Sequence, residues 1–560
     1  MQRISRRTFI KQTAAFGATA ALTKYDHLIQ VKAPFDIIIK NGSVIDGTGA
    51  SEKITDVGIK DSKILAVTNL DGREADLIID AKGLKVVPGF IDIHSHTDVG
   101  LFLNPKAESM VHQGVTTQVN GQDGDSWAPV GGPELDRRLK EFKEEYGFDM
   151  PWRDFTGFFD AMEKNKTAVN LLTLVGLGTV REVIIGVDDR PPRGNEIERM
   201  QNEVLKGIQQ GCWGTSTGLE YTPGSFATTD ELIELVKVIP REWRIYSTHM
   251  RNEDDTVLEA VDEAIYIARK SGASLQIAHL KASGKRNWPK VDTILEKIDK
   301  ASAEGINVHC DRYPYNAYFT DLSALFPLWS REGGAKKFLE RLQDKNVLPD
   351  IRKGVEEKIN RLGSWDAVMI SYTFTDANRV YQGKTLKQIA EETQIDPFEF
   401  CCKLLIAEDN RVLMVGFGMN EEGTERIIAY PLTMIASDAG SEAPYGKSAQ
   451  GRPHPRAYGT FPRAIARYVR ERKIVTLPEM IKKMTMMPAE KLGLQDRGVI
   501  AAGKWADIVV FDYEKIQDKA TFLEPHQYPV GIPYVFVNGV AVIKNGEHTG
   551  SLPGRILRSK

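Results

Sequence analysis

Cysteine is scarce in this chain: 560 residues hold only Cys212, Cys310, Cys401 and Cys402. Their spacing matches neither a zinc ribbon nor a set of paired bridges. A thiolate zinc module and a disulfide scaffold are therefore both excluded as the organising device. The adjacent Cys401 and Cys402 read as buried helix residues. Net charge is scarce too, −3 from 73 basic and 76 acidic residues, so nothing draws the chain to nucleic acid or to an anionic membrane surface. Beyond the N-terminus no apolar run is long enough to cross a bilayer. What is present is ordinary globular material, 42% hydrophobic and 27% charged, ample for a large core.

The N-terminus has its own texture. Ser5-Arg6-Arg7-Thr8-Phe9-Ile10-Lys11 precedes a small-residue apolar run with a cleavage-like Ala18-Thr19-Ala20. This resembles a twin-arginine export signal. It leads to the expectation that residues 1–30 engage the twin-arginine export machinery and that the mature chain is periplasmic or extracellular. That route carries folded proteins, so a metal can be loaded before export.

Two β-rich ends bracket a long centre. Strand-like runs with turns at Asn41-Gly42 and Asp46-Gly47 fill 31–88, and the texture returns in 499–560 with Asn538-Gly539 and Asn545-Gly546. Both ends are expected to meet in one small β-sandwich. Between them, 89–498 alternates short strands with amphipathic helices. Val257, Ala260, Val261, Ala264, Ile265 and Ala268, for example, recur at helical spacing. The alternation predicts an α/β fold, a parallel (β/α)8 barrel of TIM type. Eight strands are found by counting from "VVPGFIDIHSH" to "MIASDAG", with a mostly helical cap inserted at about 323–423.

In such a barrel the C-terminal strand ends carry the active site. Here those ends hold His94 and His96, Asp123, Glu220, His249, His279 and Asp438. His94 and His96 are two apart on one strand, so both imidazoles point to the same side. Each residue alone has an ordinary structural reading, as a hydrogen-bonded strand end or, for Asp438, a cap. Four histidines and carboxylates at one end of one barrel are costly to bury without a partner, and a divalent ion supplies one. Imidazole and carboxylate without thiolate suit Zn2+, with Mn2+, Fe2+ or Co2+ as alternatives, in one or two copies. His112, His309, His526 and His548 are left as structural residues.

The ordered motifs "PGFIDIHSHTD", "HQGVTTQVNGQDGDSWAP", "GTSTGLEYTPG", "THMRNED", "AHLKASG", "DRYPYNA", "ASDAG" and "HPRAYGTFPR" resemble those of the amidohydrolase superfamily, and within it the N-acyl-D-amino-acid deacylase (D-aminoacylase) family. The resemblance runs from about residue 34 to the end. It implies hydrolysis of a linear amide, deacylation of an N-acyl-D-amino acid. It makes His94, His96, His249 and His279 metal ligands, and Asp438 a ligand and the general acid/base. Tyr221, Lys281 and Arg456 would contact the substrate, Arg456 at its carboxylate. One departure stands out. Where the family carries a bridging cysteine, this chain has Asp123, and Glu220 stands where many superfamily members carry a carboxylated lysine. Either carboxylate is a candidate for the bridging anion, with a slight preference for Asp123 because it aligns with the family's ligand, and Glu220 also reads as a partner of a ligand or of Lys281. Two other functions fit the same residues: hydrolysis of another amide, ester, dipeptide or cyclic amide, and an exported metal- or ligand-binding protein without turnover.

Overall fold

The computed structural model describes residues 34–240 and 245–559; the twin-arginine-like segment lies outside them. Eight parallel strands form the central barrel: β1 (Phe90–Asp92), β2 (Val115–Asn120), β3 (Asn170–Thr173, continued as Val175–Gly176), β4 (Gly214–Gly218), β5 (Ile245–His249), β6 (Ser274–Ile277), β7 (Val308–Arg312) and β8 (Thr433–Ile435). Each pairs with its neighbour in order. The ring closes just beyond the strand ends, through a parallel bridge between Ser95 and Ala439 and a hydrogen bond of 2.9 Å from the Asp438 amide to the His94 carbonyl.

The strands are short and buried along nearly their whole length because helices cover the outside. The helix Val257–Ser271 after β5 shows how the sequence builds that cover. Val257, Ala260, Val261, Ala264, Ile265 and Ala268 are buried on its barrel-facing stripe. The helix ends at Gly272, whose φ of 72° serves as a left-handed cap. The barrel interior is not purely apolar. β4 is Gly-Thr-Ser-Thr-Gly, and the Ser247 hydroxyl donates to Gln122 at 2.7 Å while the Gln118 amide donates to Thr97 at 2.7 Å. These buried polar groups are hydrogen-bonded to one another, which is what their burial demands.

Both chain ends build a single nine-stranded sheet. Ile508–Phe511 pairs antiparallel with Lys85–Pro88, which continues into Phe35–Val44. Ile37 and Ile39 face one apolar cluster while Ile38, between them, faces another with Leu70, as alternation along a strand requires.

The insertion between β7 and β8 differs from the mostly helical cap expected from its sequence. It contains a three-stranded antiparallel sheet, Tyr318–Asp321, Val412–Gly416 and Val368–Thr373, beside its helices. A separate apolar core, with Phe326, Ile351, Val355, Ile370, Phe398 and Met414, holds it together. The two longer strands are five or six residues of apolar sequence that buried helix segments also show. Cys401 and Cys402 lie buried in its helix Pro397–Ala407.

Candidate metal centre

His96, Asp123, Glu220, His249, His279 and Asp438 line one cavity of about 350 Å³ at the C-terminal mouth of the barrel, with His94 fully buried beside them. Strand direction delivers His249 at the end of β5, and His279 follows two residues past β6. Asp123 needs more. It sits in the turn Asn120-Gly121-Gln122-Asp123-Gly124 with φ 52°. A Cβ on Gly121 would lie 2.2 Å from the Leu174 carbonyl oxygen, and one on Gly124 would lie 2.6 Å from the Gly218 nitrogen. The two glycines let this turn press against β3 and β4, which aims Asp123 inward. His279 (φ 33°) and Asp438 (φ 51°) also occupy left-handed backbone, a concentration of strain typical of functional sites.

Asp123 lies between two histidine pairs. One oxygen is 3.5 Å from His94 Nε2; the other is 3.6 Å from His96 Nε2, 3.7 Å from His249 Nδ1 and 3.6 Å from His279 Nε2. Asp438 Oδ1 is 3.1 Å from His96 Nε2 and 3.5 Å from His94 Nε2. Ligands about 2.0–2.1 Å from a tetrahedral ion lie about 3.4 Å from one another, so these spacings fit a cation among the donors. Asp123 Oδ1, His94 Nδ1 and His249 Nε2 are buried without a hydrogen-bond partner, which the same cation and its surrounding carboxylates would relieve. Asp123 belongs to two compatible donor groups, one with His94, His96 and Asp438, the other with His249 and His279.

Glu220 is placed differently. Its Oε2 is 3.5 Å from His249 Nε2, the ring nitrogen turned away from Asp123, and its Oε1 accepts from the Glu253 amide at 3.3 Å. The sequence leans slightly to Asp123 with Glu220 as its rival, and the two differ in place: Asp123 stands between the histidine pairs and Glu220 behind one of them.

The electrostatics agree with a cation site. Burial disfavours the charged form of His96, yet the carboxylates of Asp123 and Asp438 hold it up to about 10. Burial likewise opposes ionisation of Asp438, but Arg456 and the histidines override it and keep the carboxylate well below its usual range. Asp123 is held down by the same histidines against the same burial. Imidazoles that would sit protonated among carboxylates are sites where a divalent ion replaces protons.

The substrate-contact candidates all line the cavity. The Tyr221 ring lies tilted against His249, ring centres 4.7 Å apart, with its hydroxyl 3.3 Å from that of Thr320. Lys281 and Arg456 are already engaged. Lys281 Nζ lies 2.6 Å from both oxygens of Glu253, and Arg456 donates to Asp438 Oδ2 at 2.6 Å. Arg456 keeps a buried Nε without a partner, and so does the hydroxyl of Tyr313, whose ring lies 4.7 Å from the guanidinium. Tyr313 and Glu253 are missing from the sequence reading. Both lie inside quoted motifs, "DRYPYNA" and "THMRNED", where a strand end followed by a polar side chain was the available signal. His112, His309, His526 and His548 lie off the cavity. His454, also unassigned by sequence, accepts from the Arg456 amide at 3.0 Å and contacts the Ala317 carbonyl at 3.0 Å, fixing the loop that carries Arg456.

A closed parallel barrel with four histidines and two carboxylates at its C-terminal mouth defines the amidohydrolase class. The amidohydrolase family model matches residues 77–210 and 450–543. The N-acyl-D-glutamate deacylase of Alcaligenes xylosoxydans xylosoxydans is 32% identical over 93% of this chain and 96% of its own length; the D-aminoacylase of the same organism is 31% identical over 94% and 98%. Among solved structures, N-acyl-D-glutamate deacylase from Bordetella bronchiseptica, complexed with zinc and a phosphonate inhibitor that mimics the tetrahedral intermediate, superposes with a TM-score of 0.79 at 31% identity, covering 94% of this chain and all of that one. The chain belongs to the N-acyl-D-amino-acid deacylase (D-aminoacylase) family. It is a metal-dependent amidohydrolase acting on C–N bonds other than peptide bonds.

Proposed function

We propose that this chain deacylates N-acyl-D-amino acids, releasing a carboxylic acid and a D-amino acid, and that it does so after export by the twin-arginine route. The observation that carries the chemistry is the position of Asp123 between His94/His96 and His249/His279, with Asp438 alongside. Those six residues would hold the metal, with Asp123 shared between both histidine pairs, and their imidazole and carboxylate donors suit zinc. The chemistry the bound ion supplies is polarisation of the scissile carbonyl and acidification of water. Asp438 takes the proton from the attacking water and delivers it to the leaving nitrogen. Arg456, on Asp438 Oδ2, keeps that carboxylate ionised and aimed. Tyr221 donates to the carbonyl oxygen as negative charge develops there.

The substrate's α-carboxylate is received where buried donors stand idle, at Arg456 Nε and the Tyr313 hydroxyl, with the Lys281 ammonium beside them. The D-configuration follows the deacylases named above, and the export assignment rests on Ser5-Arg6-Arg7-Thr8-Phe9-Ile10-Lys11. The test is metal analysis of the purified protein with a matched panel of N-acyl-D- and N-acyl-L-amino acids, together with cell fractionation before and after Arg6→Lys/Arg7→Lys. Turnover of the D-forms with bound zinc is expected. Faster turnover of the L-forms would overturn the stereochemical part, and protein that stays in the cytoplasm with the arginine pair intact would overturn the export part.

A further inference from the structure

Charge is unevenly matched around the cavity at the mouth of the barrel. Its lysine and arginine side chains are Lys281, Lys358 and Arg456. Each is already paired with a carboxylate: Lys281 with Glu253 at 2.6 Å, Lys358 with Asp254 at 2.8 Å, and Arg456 with Asp438 at 2.6 Å. Glu442 lines the same cavity with no such partner among the described residues. Burial alone acts on its carboxyl and pushes it up, with no cation or N–H donor to oppose the rise.

The backbone of Glu442, by contrast, is pinned. Its amide donates to the Ser109 hydroxyl at 2.8 Å, and its carbonyl accepts from the Ser109 amide at 3.0 Å and the Asn104 side chain at 3.1 Å. These bonds dock the segment after Asp438 onto the connection between β1 and β2. A Cβ built on Gly440 would lie 3.7 Å from Glu442 Oε1 and 3.4 Å from the His96 carbonyl oxygen, so the carboxyl stands close to the backbone of His96. Asp125, on the loop after β2, also lines the cavity, and Arg138 lies 3.4 Å from it. The fold thus fixes where the Glu442 carboxyl stands and leaves its charge unanswered.

An N-acyl amino acid extends two arms from its amide. On the reading above, the amino-acid arm is held by Lys281, Tyr313 and Arg456, which follow β6, β7 and β8. The acyl arm leaves the scissile carbon the other way, toward the wall formed by the loops after β1 and β2 and by Glu442. Resting on that reading, we propose that Glu442 is a specificity-determining residue at the acyl end, and that the preferred acyl group carries an ammonium that pairs with its carboxylate. An alkyl amine stays protonated at neutral pH, since such groups titrate near about 10. The charge-assisted hydrogen bond it donates is stronger than a neutral one. A neutral acyl chain would instead cover the carboxyl without pairing it, which costs binding energy. The same residue therefore rewards a charged acyl group and penalises a neutral one, the two halves of discrimination. Asp125 adds negative potential on the same wall.

The test uses the metal-loaded full chain and N-acyl derivatives of D-leucine in pairs that differ only in charge: β-alanyl against butanoyl, 4-aminobutanoyl against pentanoyl, and 6-aminohexanoyl against heptanoyl. In each pair an ammonium replaces a methyl at the same chain length, so the set also scans the reach to Glu442. At least one pair is expected to favour the charged form by about 10–100-fold in kcat/KM, carried by KM. In Glu442→Gln that ratio should fall about tenfold or more, and Glu442→Asp should keep part of it. Each ratio is internal to one preparation, so any loss of folded or metal-loaded enzyme cancels. N-acetyl-D-lysine against N-acetyl-D-norleucine moves the charge to the amino-acid arm. Ratios within about twofold in every acyl pair, ratios unchanged by Glu442→Gln, or a preference confined to the lysine comparison would overturn the proposal. A parent chain that cleaves none of these amides, charged or neutral, would overturn the deacylase reading itself and this subsite with it.

Discussion

Asp438 divides its two oxygens between two tasks. Oδ1 faces His96 and His94 while Oδ2 is fixed by Arg456. Removing the charge while keeping the shape separates proton transfer from folding. Asp438→Asn is expected to lower kcat by about 10²–10⁴-fold with melting of the metal-free protein little changed, checked by steady-state kinetics and calorimetry. Glu442, a partly buried carboxyl on the same rim, is shifted in the opposite direction to Asp438. Burial lifts it from 4.5 to about 7. Its folded form therefore holds a proton that the unfolded chain releases between about pH 4.5 and 7. Stability tied to this group is fully present below pH 4.5 and lost as the pH rises through 7. Glu442→Gln should raise the melting temperature at pH 8 and leave it nearly unchanged at pH 4.5. At this scale the sequence was legible wherever a strand delivers the side chain, as with His94, His249 and His279. It was not legible where the answer depends on which ring nitrogen faces inward. Asp123 and Glu220 are rivals along the chain, with a slight lean to Asp123, and in the structure they lie on opposite sides of His249.

At the scale of elements, the barrel strands could be read because each is a short buried run ending in a polar residue, repeated at the interval of a βα unit. The inserted cap could be located but not described, since Val368–Thr373 and Val412–Gly416 find their partners only in three dimensions. That cap is tied to the barrel near the metal centre. Lys358, on the cap helix Leu348–Leu362, donates to Asp254 at 2.8 Å, and Arg361 reaches Asp254 and Asp255 at 3.4 Å each. Asp254 and Asp255 directly follow Glu253 in the loop after β5. Lys358→Met should loosen this clasp and raise KM about tenfold, equivalent to ~1.4 kcal/mol, with a much smaller change in kcat. Equal losses in both constants would place the clasp in the chemical step instead.

Across the whole molecule, the two chain ends do more than pair with each other. The tail after the nine-stranded sheet runs along β3, where the Leu171 amide donates to Arg555 at 2.9 Å and the Leu557 amide to Leu171 at 2.8 Å. Gly554 donates to Thr167 at 2.8 Å, and Asn538 holds Pro553 at 2.8 Å. At about 0.5–1.5 kcal/mol for each hydrogen bond, deletion of residues 551–560 should cost several kcal/mol. A lower midpoint in urea at unchanged slope would register it. The shared sheet was foreseeable from matching turn chemistry at both ends; the tail's course was not, because the tail is held largely through its own backbone groups, which carry no side-chain signature.

The closure of the ring between His94 and Asp438 has a consequence in time. The two residues are partners through a backbone bond, yet a ribosome adding about 5–20 residues per second needs roughly 17–70 s to travel from one codon to the other. For that interval the first pair of histidines exists on a nascent chain with no eighth strand to meet. An ion caught by the early half would be held by an incomplete set of donors and readily exchanged, so the choice of metal is made at the end of synthesis, by the pool surrounding the finished chain.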